Sequence, residues 1–278
     1  MNNDEAVQSF ITDLALRGYS KHTIKAYRIT VQRALKFCKK HFKKISTQDL
    51  KKFLLHLQRE KKCSLRTIHR HINALRTFYR LFEMETADKI QLPKVEKALP
   101  TFLNTGEVQQ LLTSIFNTRD LAIVRVLYAS GLRVSELVNL NKDSIEQNRI
   151  QVKSGKGKKD RIVFIDNGTV DLINEYISER TDDSPALFVN KRGTRLSDRY
   201  IEMMVKKHAK RAGIKKKVTP HTLRHTFATH LLQNKANIVV IKDLLGHASL
   251  STTQIYTHVT DEYKKEIYNN SHPLSTAD

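Results

Sequence analysis

The segment KIQLPKVEKALP, residues 89–100, decides how the rest of the chain is read. Pro93 and Pro100 disfavour continuous helix, and half of the other residues are polar or charged, which suits a linker. The reading places a boundary here, with a first domain over residues 1–88, a linker over 89–102 and a second domain over 103–278 whose tail begins near residue 260. Outward in the N-terminal direction the apolar spacing is helical throughout. Ser20 can cap a helix with Ile24, Tyr27, Val31, Leu35 and Cys38 on one face. Ser46 and Asp49 stand in S-x-x-D spacing ahead of Leu50, Phe53, Leu54 and Leu57.

A further helix begins near Ser64 and carries Leu65, Ile68, Ile72, Leu75, Tyr79 and Phe82 on its apolar face. At 100° per residue, Arg66, Arg70, Asn73, Thr77 and Arg80 fall almost opposite. Arginines on one stripe of a core-packed helix suit phosphate contact or entry into a major groove, and a solvated charged face is the alternative. Arg66, Arg70, Asn73 and Arg80 are the candidate DNA-binding residues.

Outward in the other direction the pattern is mixed. Thr105-Gly106-Glu107 opens an amphipathic helix with Val108, Leu111, Leu112 and Ile115, and a second runs from about Asp120 to the Ser130-Gly131 break. Another turn or two covers Val134–Leu140. Arg149–Val152 and Arg161–Ile165 read as strands around Gly155-Lys156-Gly157-Lys158, and helices follow to the end. The expected fold is mainly α: an all-α N-terminal bundle, then a mostly helical domain with one small antiparallel sheet.

Charge narrows the partner. The chain of 278 residues carries 49 Lys+Arg against 28 Asp+Glu, a formal net charge of +21. Residues 1–100 hold 22 basic and 9 acidic residues, and the remainder keeps a net +8, so both domains are positive. Such a surplus suggests a polyanion, because neutralising phosphates releases condensed counterions. The two cysteines, Cys38 and Cys63, fit a reducing compartment better than a disulfide framework. MNNDEAVQSF lacks the layout of a signal peptide, and no stretch reaches membrane-spanning length, so a soluble cytoplasmic protein without membrane insertion is expected.

Four segments of the second domain hold basic or nucleophilic residues in restricting local settings. In Ser130-Gly131-Leu132-Arg133 the glycine breaks one helix and Arg133 starts the next, where a guanidinium can grip a phosphate or simply pair with Glu136. In Gly155-Lys156-Gly157-Lys158-Lys159-Asp160-Arg161 a lysine at the tip of a two-stranded turn can protonate a departing oxygen; a basic solvent-exposed hairpin is the plainer reading. In Thr219-Pro220-His221-Thr222-Leu223-Arg224-His225, Thr219 caps a helix and Pro220 occupies its first position. His221 and Arg224 then share a face on the first turn, with free backbone amides beside them. His221 and His225 are four apart, but Thr222 stands where a zincin would have glutamate, which argues against zinc. In the fourth segment Gly246 stops a helix, His247 follows it, and Ser251 with Gln254 opens the helix that contains Tyr256.

Together the strings SGLRVSELVNL, GKGKKDR, PHTLRHTFATHLL and LLGHASLSTTQIYTHV, in this order, resemble the catalytic motifs of the tyrosine recombinase family, most closely its Xer branch. LPKVEKALPTFL and the helical N-terminal half resemble it more loosely. The resemblance implies a core-binding, SAM-like bundle and a catalytic domain that clamp double-stranded DNA at a recombination site. It implies that Arg133, His221, Arg224 and His247 surround the scissile phosphate, that Lys156 is the general acid, and that Tyr256 is the nucleophile. GKG favours Lys156 over Lys158 and Lys159. No cofactor and no metal are implied.

The resemblance further implies a homo- or hetero-tetramer working through a Holliday junction, an activating partner protein in some systems, and a C-terminal segment docked on a neighbouring subunit, here by analogy through Ile267, Tyr268 and Pro273. Because the chain opens directly on the helical half, without room for an arm-binding domain, a Xer-like resolvase of chromosome or plasmid multimers is expected. A compact integrase of a mobile element is the alternative. A non-catalytic DNA-binding protein accounts for the charge but not for the grouped Arg, His and Lys residues. A metal-dependent nuclease lacks a carboxylate cluster, since residues 219–232 contain neither Asp nor Glu.

Overall fold

In the computed structural model, which describes residues 1–94, 101–153 and 160–246, the chain divides into two units, residues 1–98 and 99–278. The first contains four α-helices among its described residues: α1 (Asn3–Leu16), α2 (Lys21–Cys38), α3 (Thr47–Arg59) and α4 (Leu65–Leu81). Their starts are written locally. Asn2, Ser20, Ser46 and Ser64 each accept from a backbone N–H three residues on, at 2.9, 3.2, 3.2 and 3.3 Å. Each such cap stabilises a helix by about 1 kcal/mol.

The core of this unit is aromatic. Phe78 stands edge-on to Phe10, Phe42 and Phe82, with centroids 5.3, 5.9 and 5.2 Å away. Such pairs contribute roughly 0.5–1.5 kcal/mol each beyond the area they bury. The α4 face predicted to be apolar is buried through Ile68, Ile72, Leu75 and Tyr79, but Leu65 is 42% exposed. Leu65 is the first residue of the helix, at the edge of the bundle, so its position on the stripe does not bring it to the core.

The second unit contains α5 (Thr105–Thr113), α6 (Thr118–Ser130), α7 (Val134–Asn139), β1 (Ile145–Glu146), β2 (Arg149–Val152), β3 (Arg161–Phe164), α8 (Asn167–Ser178), α9 (Asp198–Arg211), α10 (Pro220–Gln233) and α11 (Ile238–Leu245). The strands form an antiparallel meander in the order β1-β2-β3, with Ile150 opposite Val163 and Val152 opposite Arg161. Helix α6 is central and packs against α8 and α10. Ala122, Ile123, Val124, Val126 and Leu127 are all buried, so this helix has almost no solvent face. It starts at Thr118, capped by Asn117, two residues before the predicted start.

Several arginines here hold the fold. Arg180 donates to the carbonyls of Ser184, Ala186 and Leu187 at 3.1, 2.7 and 3.0 Å, and pairs with Asp182. Arg195 donates to the Val138 and Leu140 carbonyls at 2.6 and 2.7 Å. The positive charge of the chain is therefore not all available to a polyanion. Among the described residues no helix is long and apolar enough to cross a membrane.

Candidate active site

The site is assembled around the break between α6 and α7. Gly131 ends α6 in the left-handed region at φ 62°, its N–H donating to the Leu127 carbonyl at 3.1 Å. A side chain there is excluded twice, because a Cβ would also lie 2.4 Å from Cδ1 of Phe227 on α10. The reversal delivers Arg133 to the N-terminus of α7. Its backbone N–H and its Nη1 both donate to Glu136, at 2.8 Å each, and Nη2 donates to the Gly246 carbonyl at 3.2 Å. The pairing with Glu136 that the spacing allowed is thus real. It does not exhaust Arg133, since a guanidinium carries five N–H donors.

Helix α10 begins as its cap predicts, with Thr222 N–H donating to Thr219 Oγ1 at 3.2 Å and Pro220 in the first turn. Not every amide beside His221 and Arg224 is free. The Thr222 amide is taken by the cap, and the Leu223 N–H reaches the Thr219 carbonyl at 3.1 Å. Arg224 is buried, at 3% exposure, and donates to the Gly131 carbonyl at 2.6 Å and the Leu245 carbonyl at 2.5 Å.

Three guanidiniums converge on one helix end. The last carbonyls of α11 have no partner within the helix and carry the negative end of its dipole. Leu244 O accepts from Arg161 Nε at 2.8 Å, Leu245 O from Arg224, and Gly246 O from Arg133. Gly246 is itself left-handed, at φ 62°, the helix stop expected from the sequence.

His221 and His225 share the α10 surface, with Nε2 atoms 2.8 Å apart and rings nearly perpendicular at 71°. One imidazole donates and the other accepts, so the pair couples their tautomers. Partial burial of the ring, then the Arg224 and Arg133 charges, hold the His221 pKa below the ordinary histidine value. Glu136 shows the opposite balance. Burial alone would raise its pKa, but hydrogen bonds from Arg161 and Arg133 and the Arg161 charge hold it down at about 2.

A cavity of about 520 Å³ lies against this cluster, lined by Arg133, His221 and Arg224 together with Lys206, Lys217 and Glu202. Three of the predicted catalytic residues, from two separated segments, therefore face one space. Lys156, His247 and Tyr256 lie outside the described residues, as do Lys158, Lys159 and the tail positions Ile267, Tyr268 and Pro273. Lys206, Lys217 and Glu202 went unnoticed in the sequence, where nothing marks them apart from other charged residues. A second cavity, of about 480 Å³, is walled mainly by apolar side chains such as Leu112, Phe164 and Phe227, and holds none of the predicted residues.

On the first unit, Arg66, Arg70 and Arg80 are exposed along α4. Asn73 is half-buried and shares a 3.2 Å hydrogen bond with His69. Arg80 is partly committed, its Nε donating to both Asp88 oxygens at 2.9 and 3.1 Å. The same helix buries His71, which the sequence reading passed over. Thr30 gives its hydroxyl proton to the Ala26 carbonyl and accepts from His71 Nδ1 at 2.8 Å. Burial, then the Arg70 and Arg33 charges, lowers the His71 pKa to about 4. Among the described residues no group of three or more His, Cys, Asp or Glu side chains could hold a metal ion.

Comparison with known proteins places this arrangement. The model of the phage integrase family matches residues 101–263, and that of the phage integrase N-terminal SAM-like domain matches residues 7–88. Tyrosine recombinase XerA of Pyrococcus horikoshii is 39% identical over 99% of this chain and 96% of its own length. Tyrosine recombinase XerC of Thermodesulfovibrio yellowstonii is 37% identical over 100% of this chain and 99% of its own. Among solved structures, the XerH site-specific recombinase in a post-cleavage complex with a palindromic difH substrate is 26% identical, with a TM-score of 0.73 over 91% of this chain and 81% of that one. The chain belongs to the phage integrase family, as a tyrosine recombinase that cuts and rejoins DNA.

Proposed function

We propose that this recombinase is of the Xer type, acting at a specific double-stranded DNA site to resolve chromosome or plasmid multimers. The observation that carries the cleavage chemistry is the single cavity shared by Arg133, His221 and Arg224, and whole-chain similarity to XerA and XerC recombinases supports the Xer type. Two guanidiniums and an imidazole there suit the non-bridging oxygens of a phosphodiester. Tyr256 is the nucleophile. A phenol of ordinary pKa, about 10, attacks an anionic diester poorly. Fixed cations and donors at the phosphate offset that repulsion and stabilise the charge that develops in the transition state.

In the proposed reaction the Tyr256 phenol gives up its proton to solvent and its Oη bonds to phosphorus, the bond from phosphorus to the 5′ oxygen breaks, and Lys156 gives that oxygen its proton. His247 completes the donors around the phosphate. The 3′-phosphotyrosine retains the energy of the broken bond, so a 5′-hydroxyl from a partner duplex can attack it and release the tyrosine without ATP or water. Four protomers, of one kind or two, act on two duplexes in the cytoplasm, two cutting at a time, through a Holliday junction, with an activating protein as a further partner. Residues 1–88 serve as the core-binding domain, with Arg66, Arg70, Asn73 and Arg80 toward DNA. Residues 89–102 are the linker, and residues 103–278 carry the catalysis, with a tail from about 260.

The test is covalent capture. Pooled genomic fragments, nicked so that the cleaved strand diffuses away, are incubated with the full chain in EDTA and resolved in SDS. A protein–DNA band that forms with wild type and is lost in Tyr256→Phe supports the chemistry, and sequencing the captured DNA identifies the site. A captured site in a mobile element would replace multimer resolution by integration. Tight binding without any covalent species, even with host extract added, would leave a DNA-binding protein that does not cut.

A further inference from the structure

Arg161 opens β3 and does not line the cavity beside Arg133, His221 and Arg224. Its side chain is only 10% exposed, and its contacts all lead toward Arg133. Nη1 donates to Glu136 Oε1 at 3.0 Å and Nη2 to Glu136 Oε2 at 2.8 Å, a two-bond fork that fixes the plane of the carboxylate. Arg133 uses the same two oxygens: its Nη1 reaches Oε1 and its backbone N–H reaches Oε2. Each carboxylate oxygen therefore takes one bond from Arg161 and one from Arg133. Meanwhile Arg161 Nε donates to Leu244 O, two residues before the Gly246 carbonyl that accepts from Arg133. The packing is close enough that a Cβ on Gly246 would lie 3.0 Å from Arg161 Nη1.

A glutamate held by one arginine can turn about its terminal torsion and take that arginine with it. Held by two, it cannot. We propose that Arg161 is a positioning residue for strand cleavage: it locks the Glu136 carboxylate in one plane, and that carboxylate aims the Arg133 guanidinium into the cavity. The proposal rests on the recombinase reading and adds a residue outside the cavity to it. A lysine cannot replace Arg161, because a single ammonium nitrogen does not bridge both carboxylate oxygens while also reaching Leu244 O.

The experiment uses the full chain and a nicked duplex bearing the captured site, with protein in excess so that the rate reports cleavage rather than binding. Arg161→Gln is expected to cleave about 100-fold more slowly, the cost of a misplacement near 1 Å, with DNA affinity unchanged. Two readouts separate aiming from mere support of the fold. In a double-variant cycle, Arg161→Gln with Glu136→Gln is expected to cleave little more slowly than the worse single variant, since both break one chain of contacts. In a pH titration followed by carboxyl NMR, Glu136 loses two charge-assisted bonds in Arg161→Gln, so its carboxyl moves up toward the ordinary range.

Additive losses, a wild-type rate, or an unmoved Glu136 titration in Arg161→Gln would each overturn the proposal. If that variant lacks a cooperative thermal transition, Arg161→Lys takes its place in the cycle and the pH titration, with a slower rate still expected. Failure of the wild-type chain to cleave at all would instead remove the recombinase reading beneath it.

Discussion

Gly131 and Phe227 are in contact so close that a single added methyl on the glycine would overlap the ring, with Cβ to Cδ1 at 2.4 Å. The contact seats α10 against the turn that presents Arg133, and the Gly131 carbonyl at the same turn accepts from Arg224. Gly131→Ala meets two costs: a left-handed φ for an L-residue and an overfilled contact. Together they are expected to destabilise the chain by about 2–4 kcal/mol. Chemical denaturation of the full chain measures this. Phe227→Ala has its own packing loss, so a cycle is needed: Gly131→Ala should cost less in the Phe227→Ala background than in the wild type, and an equal cost in both would contradict the account.

The low pKa of His221 makes a prediction about its neighbours. Histidine resonances followed by NMR through a pH titration should place His221 below the ordinary value in the wild-type chain. Arg133→Gln removes one of the two named charges and should move it upward. An unchanged His221 titration would mean that burial and the Arg224 charge set the value without Arg133.

His71 should make the chain acid-sensitive in a defined window. Its folded pKa of about 4 lies below the ordinary 6.5, so between those values the unfolded chain binds a proton that the folded chain does not. The stability contribution is complete above pH 6.5 and falls as the pH drops toward 4, by about 3 kcal/mol in all and about 2 kcal/mol by pH 5. Glu136, depressed to about 2 from 4.5, loses its contribution only at lower pH, as the carboxyl protonates between those values. Urea unfolding at pH 7 and pH 5 checks the sign, and His71→Gln should flatten the difference between the two. An equal difference in the variant would assign the acid sensitivity to other groups.

The stripe on α4 should not contribute evenly to DNA binding. Arg66→Gln and Arg70→Gln are each expected to weaken binding and to reduce the slope of log K against log salt by about 1. Arg80→Gln should change the slope less, because Asp88 already holds that guanidinium. Affinities measured across a salt series decide it. Equal slopes for all three variants and the wild type would place the DNA contacts elsewhere.

Much of the molecule was legible in the sequence because the signals are local. A cap acts on an amide three residues away, which is why Ser20, Ser46, Ser64 and Thr219 mark the starts of their helices correctly. Gly131 and Gly246 likewise announce helix ends, since a left-handed residue is a local need. The alternation around the small sheet was visible for β2 and β3. The two-residue β1 was too short to register. Helix α6 was misjudged at its start because a helix buried on nearly every side shows little of the period that marks an amphipathic one.

The sequence by itself therefore determined the starts of several helices, the strands β2 and β3, the family, and which residue types stand in the motifs. Tertiary structure alone decided their partners. His71 meets a threonine 41 positions away, and Arg224 reaches a carbonyl 93 positions away. Glu136 receives Arg161 across 25 positions, though the sequence shows only its nearness to Arg133. The physical reason is range. Capping and helical period depend on neighbours within one turn, whereas the direction of a guanidinium depends on acceptors that only the folded chain brings within 3 Å.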